Sequence, residues 1–429
     1  MSHSARTRRT VLTTGLAVAS LLLICWATLT PRGGQIVELN ALRFCLWCGN
    51  ARVTDALANM VLFVPLGFAA VLGGMSLRAA CVASVCLTLG IETLQYIGLP
   101  AGRVASVSDV ITNAVGGAVG ASLAQWRHTI VYPRRSIAAW LAGTWTLMCA
   151  GVFLATAWAV SAPSHDVAAI DATMPIRRSA LPFAPGFGWY EGTVAGVRVN
   201  DVELSHRGTG PVIVEAPRLD RYIAHVTVTG RDHRRGIVPM LYVHGRPSEA
   251  PLLVLAQRGS SMLLRVDSRA GTLGFAPLDL SVSGPFASDS RLPTDTSRIT
   301  ARVTGRELSL VVTRGPQRWS GVQLRTATVG WALLQSLIPV SSPGSAALTG
   351  TWLILLLLPL GYWGWWSRNG RAYVILAGTI VVATALASAG RLFEIASPPP
   401  WQWCLGAGGV ALGMLVGRLT WAYGHGPRA

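Results

Sequence analysis

The sequence predicts a polytopic α-helical membrane protein of about eight transmembrane helices, with an all-β sandwich inserted between the fifth and the sixth. Three observations carry that expectation. The chain is 51% hydrophobic and only 13% charged, whereas soluble domains carry about 25% charged residues. Apolar stretches long enough to cross about 30 Å of hydrocarbon recur at 11–29, 56–74, 79–98, 108–126, 137–160, 348–366, 372–390 and 402–422. Residues 163–328, by contrast, alternate apolar and polar positions in short runs broken by Gly, Pro, Asp and Ser, the pattern of half-buried strands.

In chain order, residues 1–10 form a basic N-terminal segment ending in "SARTRR", and four helices follow over 11–126. The first span has no convincing small-x-small cleavage site and more spans come after it, so it is expected to be retained rather than removed as a signal peptide. A fifth helix covers 137–160, and three more cover 348–422. Their ends carry aromatic anchors such as "YWGWW" at 362–366 and Trp401, Trp403 and Trp421, residues that favour the headgroup level. Every basic residue is arginine. With the N-terminus inside, the inner connections hold Arg6, Arg8, Arg9, Arg78, Arg127, Arg134, Arg135, Arg368, Arg371 and Arg428, and the outer short loops hold Arg32, Arg43, Arg52, Arg103 and Arg391. That excess predicts a bacterial cytoplasmic-membrane protein with both termini inside and the sandwich outside.

The expected strands are "GVRVNDVELS" at 196–205, "PVIVEA" at 211–216, "RYIAHVTVTG" at 221–230, "VPMLYVHG" at 238–245, "LLVLAQRGSSMLLRVDSR" at 252–269 and "SRITARVTGRELSLVVTRG" at 297–315. The "QRGSSM" and "TGREL" segments read as hairpin turns. Regularly spaced strands with no competing helical period imply an antiparallel sandwich. The stretch "VGWALLQSLIPV" at 329–340 is either an interfacial segment before helix six or the exit of the last strand.

The first 130 residues contain only four acidic side chains, Glu38, Asp55, Glu92 and Asp109, and three of them stand at helix boundaries. Ionisable groups there are expensive unless they are used. Asp55, Asn59 and Phe63 recur every four residues on helix two, Glu92 and Gln95 share a face near the end of helix three, and Asp109, Asn113, Gly116 and Gly120 form one stripe on helix four. The topology places Asp55, Asn59, Glu92, Gln95, Arg103, Asp109 and Asn113 at the outer leaflet, as a polar pocket in a helical bundle. Gly116 and Gly120 form a small-xxx-small helix contact. Each residue also has a plainer reading. Asp55 and Asp109 suit N-caps, and Asn59, Gln95 and Asn113 suit interhelical hydrogen bonding. Glu92 resists that account, because its charge opposes the dipole of its own helix.

The blocks "TDALANMVLFVPLGF", "IETLQ" and "GRVASVSDVITNAVGGAVG", in that order and spacing, resemble the VanZ-like membrane protein family over roughly residues 20–126. The resemblance implies a small integral membrane module of the bacterial envelope. Its founding type is associated with resistance to the lipoglycopeptide teicoplanin, without alteration of the termini of the cell-wall precursor. It brings the polar positions Asp55 to Asn113 with it but assigns none of them a catalytic role. The inserted domain is similar to laminin-G or concanavalin-like jelly rolls through its "LLVLAQRGSSMLLRVDS" and "ITARVTGRELSLVV" hairpins. That likeness implies a surface for glycan or protein.

"CLWCG" at 45–49 sets Cys45 and Cys48 at Cys-x-x-Cys spacing in an outer loop. A local disulfide ranks first there, free thiols second and a metal a distant third. No metal site or cofactor is expected, and no nucleotide loop or nucleophile elbow is present. The net charge of +17 comes from scattered arginines, which favours anionic lipid or envelope polymers over nucleic acid. The expected partners are therefore membrane lipids, a lipid-linked cell-wall precursor or an envelope glycan. The sequence leaves the oligomeric state open. The rival function class is an integral membrane enzyme using Glu92 or Asp109 on a lipid-linked substrate, with Arg103 on a phosphate. Transport ranks last, since no internal repeat is visible.

Overall fold

A computed structural model describes residues 3–31, 44–46, 52–100, 103–162, 168–171, 192–200, 202–204, 212–214, 221–229, 237–244, 251–287, 296–334, 344–367 and 370–425. The chain divides into two compact units, Met1–Ile137 and Ala138–Ala429.

The first unit contains α1 (His3–Leu29), β1 (Phe44–Cys45), α2 (Arg52–Leu72), α3 (Leu77–Tyr96), β2 (Ala105–Ser106), α4 (Val107–Gln125) and the short α5 (Arg127–Val131). Four of these helices are long and apolar enough to span a membrane. Their surfaces are arranged as lipid demands. Val61 and Val82 lie 67% and 61% exposed, whereas Ala80, Ala121 and Ala124 are buried. With no water to expel between helices, close backbone approach supplies the packing. A Cβ on Gly116 would overlap the Met60 carbonyl, one on Gly120 the Val64 carbonyl, and one on Gly67 the Gly117 carbonyl, so α2 and α4 meet backbone to backbone. Ile24, Phe63 and Ile91 form a small core among α1, α2 and α3. Ser76 starts α3, its hydroxyl accepting the Ala79 N–H at 3.2 Å.

The second unit begins within α6 (Arg135–Val160). Its strands are β3 (Ala168–Asp171), β4 (Thr193–Val199), β5 (Val202–Leu204), β6 (Val212–Val214), β7 (Arg221–Thr229), β8 (Ile237–His244), β9 (Pro251–Arg258) and β10 (Ser261–Val266). After α7 (Arg269–Thr272) come β11 (Asp279–Ser283), β12 (Thr296–Thr304), β13 (Glu307–Arg314) and β14 (Gln317–Leu324). Then follow α8 (Gly330–Leu333), α9 (Ser345–Trp366), α10 (Arg371–Leu392) and α11 (Pro400–His425). Helices α6, α9, α10 and α11 are also of membrane-spanning length and hydropathy, making eight such helices among the described residues.

The strands form two six-stranded sheets, in the orders β11-β10-β9-β8-β3-β6 and β14-β13-β12-β7-β4-β5, with antiparallel pairing throughout. Alternate residues such as Val226, Val228, Leu255, Leu264, Ile299 and Leu310 fill one core between them. The sandwich expected from the period-two runs is thus present, with local differences. The run at 196–205 breaks into a hairpin at Asn200, whose φ of +52° suits the short polar side chain of asparagine. Strands β3, β11 and β14 lie outside the predicted runs. β14 is an edge strand that buries only one of its eight positions, so its sequence carries no alternation to read. The "TGREL" turn is held by Thr304, whose hydroxyl accepts the Glu307 N–H at 2.9 Å. His225 sits across from Thr300 at 3.2 Å, a cross-strand role. Arg265 on β10 grips Asp279 on β11 with two 2.8 Å bonds.

The sandwich floor and the helix tops share one core in this unit. Ala270, Leu278, Ala327 and Trp331 pack with Phe153, Val160, Leu353 and Leu357. The 329–340 stretch resolves over its described part as the buried turn α8, with Trp331 donating to Thr349 at 3.0 Å.

Candidate functional site

The C-terminal ends of α1 and α3 and the N-terminal ends of α2 and α4 meet at one end of the first unit. On three helices the polar side chains stand in two storeys one turn apart. Asp55, Glu92 and Asp109 form the upper storey, and Asn59, Thr88 and Asn113 the lower one. Phe63, fully buried, closes the stack beneath Asn59.

Each group has identifiable neighbours. Asn59 of α2 hydrogen-bonds the Asp109 carboxylate of α4, and the charges of Asp55 and Arg103 act on the same carboxylate. Glu92, 8% exposed, accepts the Ser106 N–H at 2.7 Å through Oε2 and lies within the electrostatic reach of Asp109 and Arg103. Glu92 opposes the dipole of α3, but it serves a different helix. Ser106 precedes the first turn of α4, and a carboxylate at that positive end is favourable. Asn113, 1% exposed, donates to Thr88 Oγ1 at 2.9 Å, and its Oδ1 meets no hydrogen-bond partner among the described residues.

Two predicted members point elsewhere. Gln95 donates to the Thr28 carbonyl at 3.1 Å, fastening α3 to the end of α1. Arg103 donates to the Thr30 carbonyl at 3.3 Å and also to that of Ala27, which a cation at a helix C-terminus satisfies well. Arg103 therefore holds the α3–α4 connection against α1 while remaining near both carboxylates. Asp55 lies exposed in the first turn of α2. The structure accordingly gathers Asn59, Glu92, Arg103 and Asp109 tightly, sets Asp55 at their edge, and gives Gln95 and Asn113 interhelical bonds.

Other residues belong to this end as well. β1 runs parallel to β2, pairing Phe44 with Ala105 and Cys45 with Ser106, and the Ser108 N–H donates to the Leu46 carbonyl at 3.1 Å. The Ser106 and Ser108 hydroxyls are 2.6 Å apart, and Ser108 lies 3.4 Å from Asp109 Oδ1. Thr88 was findable as the residue one turn before Glu92. Ser106 and Ser108 were findable as the serines leading into Asp109, although single hydroxyls carry little signal in sequence. Cys45 is disulfide-bonded, and Cys48 lies outside the described residues. Among the described residues no three His, Cys, Asp or Glu side chains are grouped so as to hold a metal ion.

Chemically this end is rich in acceptors. The Arg103 guanidinium lies within electrostatic reach of the Glu92 and Asp109 carboxylates, and it already donates to two main-chain carbonyls. A polar group approaching it would be held chiefly through its own hydrogen-bond donors.

No curated protein and no solved structure matches the chain. Residues 11–128 match the family model described as VanZ/LLP1, a span running from α1 into α5 and enclosing the whole polar cluster. The four helices that assemble this end thus constitute a VanZ-like domain, in a multi-pass membrane protein that also contains a sandwich of antiparallel sheets and four further apolar helices.

Proposed function

We propose that the VanZ-like domain recognises or shields the polar head of a bacterial envelope lipid or lipid-linked cell-wall precursor, a role of the glycopeptide-resistance kind. The observation that carries the reading is the convergence of Asn59, Glu92 and Asp109 from three helices onto one end of the unit. Such groups are retained near a bilayer when they have a partner to meet. The scattered arginines would attract phosphate-bearing polymers to the surface. The sandwich, on its laminin-G-like resemblance, would bind envelope glycan or protein.

The test uses the purified full-length chain and vesicles with or without a lipid-linked cell-wall precursor. Wild type is expected to prefer the precursor-bearing vesicles. Glu92→Gln and Asp109→Asn are each expected to weaken that preference about tenfold, as loss of a charge-assisted hydrogen bond predicts. Equal binding by wild type and both variants would remove the recognition reading. A second reading, an enzyme acting on the same lipid class, draws on the Ser108 hydroxyl beside Asp109 and on Arg103 close to both carboxylates. It predicts that the variants retain binding and lose formation of a product.

The arginine distribution supports the polar end and the sandwich each facing outward. A cysteine replacing Ser283, at the exposed end of β11, is expected to react with a membrane-impermeant maleimide in intact cells. Reaction only after permeabilisation would reverse the orientation.

A further inference from the structure

The sheet β14-β13-β12-β7-β4-β5 turns one face to the sandwich core. The other face is built from the alternate residues. On β12 the buried positions are Ser297, Ile299, Ala301 and Val303, so Arg298, Thr300 and Arg302 point the other way. The register then assembles a basic surface. Arg198 of β4 pairs with His225 of β7, and His225 pairs with Thr300. One row along, Thr313 of β13 lies between Arg298 and Arg318.

Arg198, Arg298, Arg302 and Arg318 are all exposed. Among the described residues none of the four forms an ion pair. Opposite charges are favourable cross-strand partners, yet the neighbours of Arg298 are Thr227 and Thr313, and those of Arg302 are Ile223 and Ser309. The acids on the described part of this face are Glu203, on edge strand β5, and Glu307, at the hairpin end of β13. Guanidinium groups left unneutralised on one surface sum to a positive field that attracts anions.

Spacing and chemistry select the ligand. With strands about 4.8 Å apart and residues about 3.4 Å apart, Arg318, Arg298 and Arg198 mark a diagonal of about 20 Å. One small anion cannot span that, whereas a linear polyanion can. The arginines and the hydroxyls of Thr300 and Thr313 supply hydrogen-bond donors, which suits a chain rich in acceptors, and arginine forks match phosphate oxygens. Among the described residues the face carries no aromatic side chain, the anchor that protein interfaces favour. A membrane surface fits less well. Gly305, at the β12–β13 turn, lies against Glu394 of the α10–α11 connection, so this end of the hairpin is the one beside the helices. Arg298 stands seven residues away, about 24 Å along the strand, several times the depth of about 5–8 Å that one headgroup layer adds to the hydrocarbon.

We propose that this face, through Arg198, Arg298, Arg302 and Arg318, binds a linear phosphodiester polymer of the cell envelope. The proposal rests on the outward sandwich of the reading above and names its partner as a phosphate polymer.

The experiment measures binding of fluorescent sodium polyphosphate to the full-length protein in nanodiscs of zwitterionic lipid. Each of the four single Arg→Gln variants is expected to weaken binding about threefold, and the quadruple variant about fiftyfold, as loss of phosphate contacts predicts. A control quadruple, Arg78→Gln, Arg134→Gln, Arg135→Gln and Arg391→Gln, removes the same charge from exposed positions elsewhere and is expected to weaken it less than about twofold, because charges more than a Debye length away are screened. Thermal unfolding checks the fold of both quadruples, and the single variants decide the matter if either fails to fold. Equal binding by the two quadruples, with Ser283 labelled from outside, would overturn this proposal alone. Ser283 labelled only after permeabilisation would withdraw the outward reading, and an envelope polymer with it. Tighter binding to polygalacturonate, or to phosphatidylglycerol vesicles, lost in the same quadruple variant, would replace the phosphate polymer with an acidic glycan or a membrane surface.

Discussion

Gly120→Leu is expected to abolish the folded state of the VanZ-like unit, with the largest loss of any single substitution in α4. The backbone of Gly120 lies against the Val64 carbonyl and the Phe68 amide of α2, so any side chain must drive the two helices apart. Separating them withdraws contacts along the whole α2–α4 interface, including those at Gly116 and Gly67, because packed helices move as rigid bodies. Overpacking by even one group costs about 1–3 kcal/mol, and Gly120→Ala is expected to fall in that range. Leucine adds three further carbons against main-chain atoms that have no rotamer to yield, and its loss should exceed the upper end. Gly90 of α3 provides the control, since a side chain there meets open space. Gly90→Leu is expected to change stability by less than about 1 kcal/mol, in the favourable direction if helix propensity dominates. The measurement is unfolding of the purified chain by titration with a denaturing detergent, followed by the fluorescence of a label on α4. Equal behaviour of the leucine variants at 120 and 90 would show that the close approach contributes nothing.

The same contact shows what could be read in advance. Gly116 and Gly120 at a four-residue interval marked the packing stripe, because only glycine permits that approach. The partner residues Met60 and Val64 were invisible, since they contribute backbone oxygens and not side chains. The polar end was legible for a related reason. Four acids in 130 residues make each one conspicuous, and the reversal of direction from helix to helix brings three of them together. What their side chains do was less legible. Glu92 was set against the dipole of its own helix, and only the fold revealed that it answers the N-terminus of the next one. Arg103 suggested a phosphate contact by its charge. In the structure it donates to Ala27 and Thr30, carbonyls at the end of α1 that no sequence pattern ties to it. In the sandwich, alternation identified the strands that bury every second residue. Edge strand β14, which buries one, had to be found by its pairing with β13.

Arg325 gives the second large effect, and its sign is opposite for two neighbouring substitutions. It lies where β14 leaves the sandwich, with its main chain bonded to Arg306 on one side and Ala396 on the other at 2.9 Å each. Its side chain is 2% exposed, its Nη1 meets no acceptor among the described residues, and the charge of Asp267 reaches it. Burial lowers its pKa from the ordinary arginine value to about 10, despite the opposing pull of Asp267. The folded protein therefore holds this proton less tightly than the unfolded chain does. At neutral pH that difference amounts to about 3 kcal/mol against folding, and it diminishes as pH rises above 10, where only the unfolded chain remains protonated. Arg325→Met, which keeps the length and removes the charge, is thus expected to leave stability unchanged or raise it by up to about 3 kcal/mol at pH 7. The gap from wild type should narrow above pH 10. Asp267→Asn is expected to destabilise by about 3 kcal/mol, because it strips the buried cation of its counter-charge while keeping the oxygen that accepts the Ser268 N–H at 2.8 Å. In the Arg325→Met background the same Asp267→Asn change should have little effect, since no charge remains to compensate. Thermal unfolding of the four proteins at pH 7 measures the coupling directly. A loss of stability in Arg325→Met would show instead that the guanidinium holds the sandwich floor together through contacts worth more than its desolvation.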